Sequence, residues 1–278
     1  MDFAVVDTRL AALEACIENP VAVRPDEPLH VGVDLGTAYI VVVALNSKKE
    51  PVACAMEFAQ VIRDGLVVDY AGAVSIVRKL TAGLEERLGR KLSRAAIAVP
   101  PGTGEKDCKT HRHVLESAGI EVAGTLDEPT AANAVLGIDN GVIVDIGGGT
   151  TGLSILENSK VIYVADEPTG GGHLSLVLAG RYRISFEEAE DLKKQPGRHR
   201  EVLPVVTPVI EKMAAIINGH INKHSGQTAA IYLVGGTCCL TGMEQVIERE
   251  TGLPVFKPAN PFLVTPLGIA LNGKRLRL

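Results

Sequence analysis

Two short stretches of this sequence share one pattern of reactive residues. Asp34-Leu35-Gly36-Thr37 and Asp145-Ile146-Gly147-Gly148-Gly149-Thr150-Thr151 each close an apolar run with a carboxylate, then glycine, then threonine. Glycines let the main chain pass close to a ligand, so that successive N–H groups can converge on phosphate oxygens. Thr37, Thr150 and Thr151 add hydroxyl donors. Asp34 and Asp145, at the ends of their runs, suit a hydrated Mg²⁺, an ion content with one or two carboxylates, several waters and nucleotide phosphates. One such turn says little, because Asp-Gly turns are common. Two in equivalent settings, 111 positions apart, point to a paired phosphate-binding device.

The elements around the two turns repeat as well. Leu29 to Thr37 reads as a strand ending in a tight turn, followed by strands at Ile40 to Leu45 and Pro51 to Phe58 in an antiparallel meander. Helical periodicity over Ala71 to Leu88, a strand at Ala95 to Val99, a polar helix over 107 to 118, a strand at Val122 to Leu126 and a helix from Glu128 to Leu136 complete a half. The order then restarts: strands at 141 to 146, 152 to 156 and 160 to 165, helices over 172 to 194 and 202 to 224, and a strand at Ala229 to Val234 running into Gly235-Gly236-Thr237. A helix from Met243 to Glu250, a strand at Val255 and a helix from Thr265 to Leu271 follow. The pattern predicts an internal duplication, two meander-plus-helix halves in one α/β protein. The expected division is a helix and Pro-rich linker over 1–28, lobe I over 29–139 plus 262–278, and lobe II over 140–261. The helix of the first segment, with Val6, Leu10, Leu13 and Ile17 on one face, either packs on its own body or serves as a docking peptide.

Composition narrows the function classes. The chain has 278 residues, 46% of them hydrophobic and 22% charged, which suffices for a sizeable core. A net charge of -5, 4% aromatics and no Trp disfavour nucleic acid, which asks for phosphate-neutralising surface and stacking platforms. Five cysteines without a CxxC pair fit a reducing compartment. No basic, apolar leader opens the sequence and no apolar run approaches the ~18 residues of a spanning helix, so a cytoplasmic protein with no membrane role is expected. Pro100 to Lys106 is no Walker A loop: Val99, Glu105 and Lys106 stand where Gly, Lys and Ser or Thr are required. His220 with His224, and His111 with His113, lack further ligands at metal spacing.

Five motifs, in order, then resemble those of the actin, Hsp70 and hexokinase superfamily of ATPases. Asp34 to Thr37 resembles its first phosphate loop, Asp127-Glu128-Pro129-Thr130-Ala131-Ala132 its first connecting segment, and Asp145 to Thr151 its second phosphate loop. Leu233-Val234-Gly235-Gly236-Thr237 resembles the adenosine motif and Pro266-Leu267-Gly268-Ile269-Ala270 the second connecting segment. Glu190 and Lys193 match the Glu-x-x-Lys helix that contacts ribose and adenine in that superfamily. Asp64 to Tyr70 is similar to a segment of the rod-shaping bacterial actin homologue. Glu167 to His173 and Ile184 to Glu190 resemble the EutJ family of ethanolamine utilisation.

The resemblance implies a duplicated actin-like ATPase (ribonuclease H-like) fold, two lobes with a nucleotide cleft between them. It implies ATP and Mg²⁺ as cofactors. Gly36, Thr37, Gly147, Gly148, Gly149, Thr150, Thr151, Glu190, Lys193, Gly235, Gly236 and Thr237 would bind the nucleotide. Asp34 and Asp145 would hold the metal through water, and Glu128 and Asp145 would orient the attacking water in a slow, Mg-dependent hydrolysis. The family is regarded as chaperone-like, which implies protecting or reactivating ethanolamine ammonia-lyase, or aiding bacterial microcompartment assembly, within or at that compartment. An actin-like filament scaffold is the competing function. No cation follows the first turn, where Ala38-Tyr39-Ile40 stands; Arg63 is the candidate substitute.

Overall fold

The computed structural model of the chain describes residues 3–63, 65–224 and 228–272. The chain divides into two compact units, one reaching Gly137 and resuming at Leu263, the other Ile138–Phe262.

The first unit opens with helix α1 (Ala4–Glu18), strands β1 (His30–Leu35), β2 (Tyr39–Leu45) and β3 (Pro51–Phe58), and a small hairpin of β4 (Ile62–Arg63) and β5 (Leu66–Val67). Helix α2 (Tyr70–Leu88), strand β6 (Arg94–Val99), helix α3 (Glu105–Ala118), strand β7 (Glu121–Asp127) and helix α4 (Glu128–Leu136) follow. The second unit runs through β8 (Gly141–Ile146), β9 (Thr151–Glu157), β10 (Lys160–Glu167), α5 (Gly171–Tyr182), α6 (Phe186–Lys193), α7 (His199–His224), β11 (Ile231–Val234), α8 (Met243–Thr251) and β12 (Val255–Phe256). Helix α9 (Val264–Leu271) returns the chain to the first unit.

The sheets establish the duplication. One has strand order β3-β2-β1-β6-β7, the other β10-β9-β8-β11-β12. In each, the first three strands pair antiparallel and the inner strand pairs parallel with the next. Strands β1 and β8 even share a burial pattern: four buried residues, a half-buried aspartate, then a buried residue. Alternating apolar side chains of each sheet meet the stripes of its helices. Val33, Val42, Val77, Leu84, Ile97 and Leu115 belong to the first core, and Val144, Leu153, Leu174, Ile210, Ile217 and Leu233 to the second.

Several local expectations change. The helix expected over 172 to 194 is two helices, because Arg183 adopts a left-handed conformation (φ 57°) and Ser185 starts α6 with a capping box closed by Glu188. Helix α7 begins at His199, ahead of Pro204 and Pro208, and continues through both. An interior proline costs about 3 kcal/mol, and the burial of Val202, Val206, Ile210, Met213, Ala214, Ile217 and Ile221 along one stripe offsets it. By length and composition alone the segment Pro196–His224 is apolar enough to cross a membrane. That stripe belongs to the core of the second unit. The hairpin β4–β5 is an addition to the expected elements, and Asp64 lies outside the described residues.

Helix α1 packs on β3, with Leu10, Leu13 and Cys16 buried and Val6 and Ile17 half-buried. The connector after it is tied down as well. Arg87 donates to the Ile17 carbonyl (2.6 Å), the Val21 N–H to the Val52 carbonyl (2.8 Å), and the Ser47 hydroxyl to Glu27 (2.6 Å).

Candidate functional site

Each glycine turn is built by its own hairpin. In the first unit β1 ends at Leu35 and β2 starts at Tyr39, so Gly36, Thr37 and Ala38 make the turn, all half-buried. Asp34, one residue before the end of β1, lies opposite Val41. In the second unit Gly147, Gly148, Gly149 and Thr150 join β8 to β9, closed by a bond from the Gly147 N–H to the Thr150 carbonyl (3.0 Å). Asp145 occupies the place of Asp34, opposite Gly152 on one side and Val234 on the other.

The second turn is held from behind by its carbonyls. The Gly147 carbonyl accepts from the Gly171 N–H (2.9 Å) and from the Thr237 hydroxyl (2.8 Å), and the Gly148 carbonyl accepts from the Gly172 N–H (2.8 Å). Among the described residues no protein acceptor takes the N–H of Gly148 or Gly149. The start of α5 presses on this turn so closely that a β-carbon at Gly170 would stand 2.6 Å from the carbonyl carbon of Gly149. Gly170, Gly171 and Gly172 therefore belong to the site, although sequence reasoning used them only as part of a resemblance. The run of three glycines before a helix was the available signal.

Two expected roles change once side chains are placed. The Thr151 hydroxyl is buried and donates to the Thr169 carbonyl (2.6 Å), so it braces the strand after the turn and is not a donor for phosphate. Thr237, likewise buried, spends its hydroxyl hydrogen on Gly147. Both threonines shape the turn from within the protein.

Glu190 and Lys193 form no solvated helix pair. Glu190 is 7% exposed, and its carboxylate meets the Lys193 ammonium and the Ser175 hydroxyl, with Lys194 at 3.6 Å. Lys193 also donates to the Gly171 carbonyl (2.9 Å) and the Ser175 hydroxyl (2.9 Å), so its three N–H groups have three protein acceptors. Burial alone would push the Glu190 carboxyl up, but the two ammonium groups and the Ser175 hydroxyl outweigh it and hold the carboxyl below its usual range. Ser175, fully buried between the charges, is a second residue the sequence did not single out.

Gly235 follows β11 with φ +91°, and its N–H donates to the Pro261 carbonyl (3.0 Å). A β-carbon there would come within 2.3 Å of the Asp145 carboxylate. Gly236 to Cys239 form a short 3₁₀ turn with the Phe262 ring against Gly236. Cys238 is buried, and burial, reinforced by the nearby Asp145 charge, pushes its thiol up, which makes it an inert packing residue. In the first unit Asp127 caps α4 by accepting from the Thr130 N–H and hydroxyl (both 2.8 Å), leaving Glu128 half-buried in the first turn of the helix. Gly268 of α9 lies against Ala131 of α4, where a β-carbon would reach 1.8 Å from the Ala131 carbonyl oxygen. Arg63 is exposed on β4. His220 and His224 are occupied with Tyr163, the first by a 2.8 Å bond and the second by ring stacking; no metal-binding cluster occurs among the described residues.

Known proteins share this sequence and fold over most of the chain. Ethanolamine utilization protein EutJ of Escherichia coli (strain K12) is 45% identical over 264 residues, which span 95% of this chain and 92% of that protein. The chain belongs to the EutJ family. The crystal structure of EutJ from Carboxydothermus hydrogenoformans superposes with a TM-score of 0.91 at 49% identity, covering 97% of this chain and 99% of that one. Residues 112–277 also match the model of a family described as type IV pilus assembly protein PilM. MreB5 of Spiroplasma citri, solved bound to ADP, superposes with a TM-score of 0.72 at 17% identity over 88% of this chain and 95% of that one. That likeness carries the fold: a duplicated actin-like one.

Proposed function

We propose that this EutJ-family chain binds ATP with Mg²⁺ and uses it as a chaperone or reactivating factor for ethanolamine ammonia-lyase, or in microcompartment assembly, at or within that compartment. The observation that carries the nucleotide part is the second glycine turn. Its carbonyls are drawn inward to Gly171, Gly172 and Thr237, which leaves the N–H groups of Gly148 and Gly149 to phosphate oxygens. The turn is sterically confined as well, since a β-carbon at Gly170 would collide with its carbonyl side and one at Gly235 with Asp145 and Ile146. MreB5 of the same fold is described as bound to ADP.

In this reading the backbones of Gly36, Thr37, Gly147, Gly148, Gly149 and Thr150 would hold the polyphosphate and those of Gly235, Gly236 and Thr237 the nucleoside. Lys193 and Glu190 brace the wall behind. Asp34 and Asp145 would hold Mg²⁺ through water, and the ion, when bound, would neutralise phosphate charge. Asp145 and Glu128 would each be suited to orient an attacking water by accepting its hydrogen bonds. Phosphoryl transfer asks mainly for such positioning and charge neutralisation. Calorimetric titration with Mg-ATP tests the binding. Affinity capture from cells grown on ethanolamine, with and without ATP, tests the client; recovery of the lyase only in one nucleotide state is the expected result.

The match of residues 112–277 to the PilM family model favours a second reading, an assembly scaffold. Polymers that pellet with Mg-ATP would support it in place of the chaperone role.

A further inference from the structure

His199 closes a ring of contacts whose far side is the second glycine turn. Its Nδ1 lies 3.0 Å from the Thr241 N–H, a group that can only donate. Its Nε2 lies 3.1 Å from the Lys193 carbonyl, a group that can only accept. The two partners together admit one form of the ring, the neutral imidazole with hydrogen on Nε2. From Lys193 the path continues through its ammonium to the Gly171 carbonyl, and from the Gly171 N–H to the Gly147 carbonyl. From Thr241 it runs back along the 3₁₀ turn to Thr237, whose hydroxyl reaches the same Gly147 oxygen. The two arms that grip Gly147 are thus joined only a few residues away by one side chain, itself 5% exposed.

We propose that His199 is a positioning residue: as a tautomer-locked clamp between the end of α6 and the loop after Gly235–Thr237, it sets the shape of the second glycine turn and, through it, nucleotide affinity. The affinity part rests on the nucleotide reading above; the clamp itself does not.

The surroundings keep the imidazole neutral. Burial lowers its affinity for a proton and the Lys257 ammonium lowers it further, against the opposing pull of the Lys193 carbonyl. Charged groups on the packed elements include Glu190, Asp191 and Lys193 of α6, Lys194 just past its end, Arg198 paired with Glu201 (2.8 Å), Arg200, and Lys257 paired with Glu244 of α8 (2.6 Å). His199 also opens α7, where the helix dipole disfavours a cation. A proton on Nδ1 would turn it toward the Thr241 hydroxyl, 3.0 Å away, and displace the Thr241 N–H. The clamp therefore holds near neutral pH and loosens as pH falls through a value below the ordinary 6.5 of histidine.

Three readouts test this. In the nucleotide-free protein at about pH 7.5, nitrogen-15 imidazole spectra are expected to show hydrogen on Nε2 of His199; hydrogen on Nδ1 would overturn the proposal. Amide hydrogen exchange is expected to rise about tenfold at 147–151, 190–194 and 237–241 in His199→Ala, and to return most of the way in His199→Gln, whose amide offers one acceptor and one donor. Unchanged exchange at 147–151 in His199→Ala would overturn the clamp; if that variant fails to fold, the tautomer and the Gln variant decide. Lowering the pH to about 5 should loosen 147–151 in the unsubstituted protein and add nothing in His199→Ala, and an equal response in both counts against the clamp. The Mg-ATP dissociation constant should rise about tenfold in His199→Ala. If the unsubstituted protein binds no Mg-ATP, the nucleotide reading fails while tautomer and exchange still judge the clamp.

Discussion

The α-carbon of Gly235 rests against the carboxylate of Asp145, close enough that a β-carbon would lie 2.3 Å from its oxygen and 2.6 Å from the Ile146 carbonyl. The residue that follows β11 and the aspartate one place before the end of β8 therefore share one small volume, and only glycine leaves room for both. Its φ of +91° adds a second reason.

Gly235→Ala is thus expected to lower stability by about 2–3 kcal/mol, the cost of left-handed strain plus displaced backbone. Urea unfolding measures it. A loss under about 0.5 kcal/mol, the range of an ordinary surface change, would mean that the contact with Asp145 relaxes freely.

Gly268→Val meets a harder obstacle, because the Ala131 carbonyl is backbone and cannot swing aside. Helices α4 and α9 would have to separate, at a cost of about 3 kcal/mol. Thermal unfolding reports the change, and an unchanged melting temperature would contradict the close packing of the two helices.

Asp145→Asn keeps the size of the side chain and removes its charge. With Asp145 orienting water and metal, hydrolysis of ATP should fall about a hundredfold while the nucleotide still binds. Phosphate release and calorimetry separate the two effects. Undiminished turnover would remove Asp145 from the proposed chemistry.

Glu190→Gln would leave the buried Lys193 ammonium without its anion, and the expected loss is about 3 kcal/mol. The pH dependence follows from the sign of the Glu190 shift. Its folded value lies below the ordinary 4.5, so its contribution is complete above that pH and disappears as the medium is acidified through the lower folded value. Acid titration of stability should therefore be shallower in the Gln variant, and identical acid limbs would refute the assignment.

Leu10→Ala removes a fully buried side chain from the contact of α1 with β3. A loss of about 3 kcal/mol is expected if that contact persists in solution. A loss near zero would instead describe a helix free to leave the body and dock elsewhere.

The features legible in the sequence are those written within a few residues. Asp34 and Asp145 could be placed because strand, carboxylate and glycine stand side by side in each, and the order of the surrounding elements repeats. The capping box of Ser185 and Glu188 was just as local, but the apolar periodicity running from 172 to 194 concealed the left-handed break at Arg183. Ser175, Thr241 and His199 were out of reach for a different reason. Ser175 meets the Glu190 carboxylate 15 positions away and His199 the Thr241 N–H 42 positions away, and nothing in a serine or a histidine announces which distant group it will meet. Thr151 shows the converse error: a hydroxyl beside a phosphate-type turn was read as a ligand donor, whereas burial had already given it the Thr169 carbonyl.

Helix α9 is buried along its entire length, and it lies so near β1 that a β-carbon at Gly32 would stand 2.5 Å from the Ala270 nitrogen. The strand carrying Asp34 thus waits for residues synthesised more than two hundred positions later. Ile138–Phe262, by contrast, is uninterrupted. On the ribosome, the half made second can assemble first, and the half made first stays open until α9 arrives to seal it.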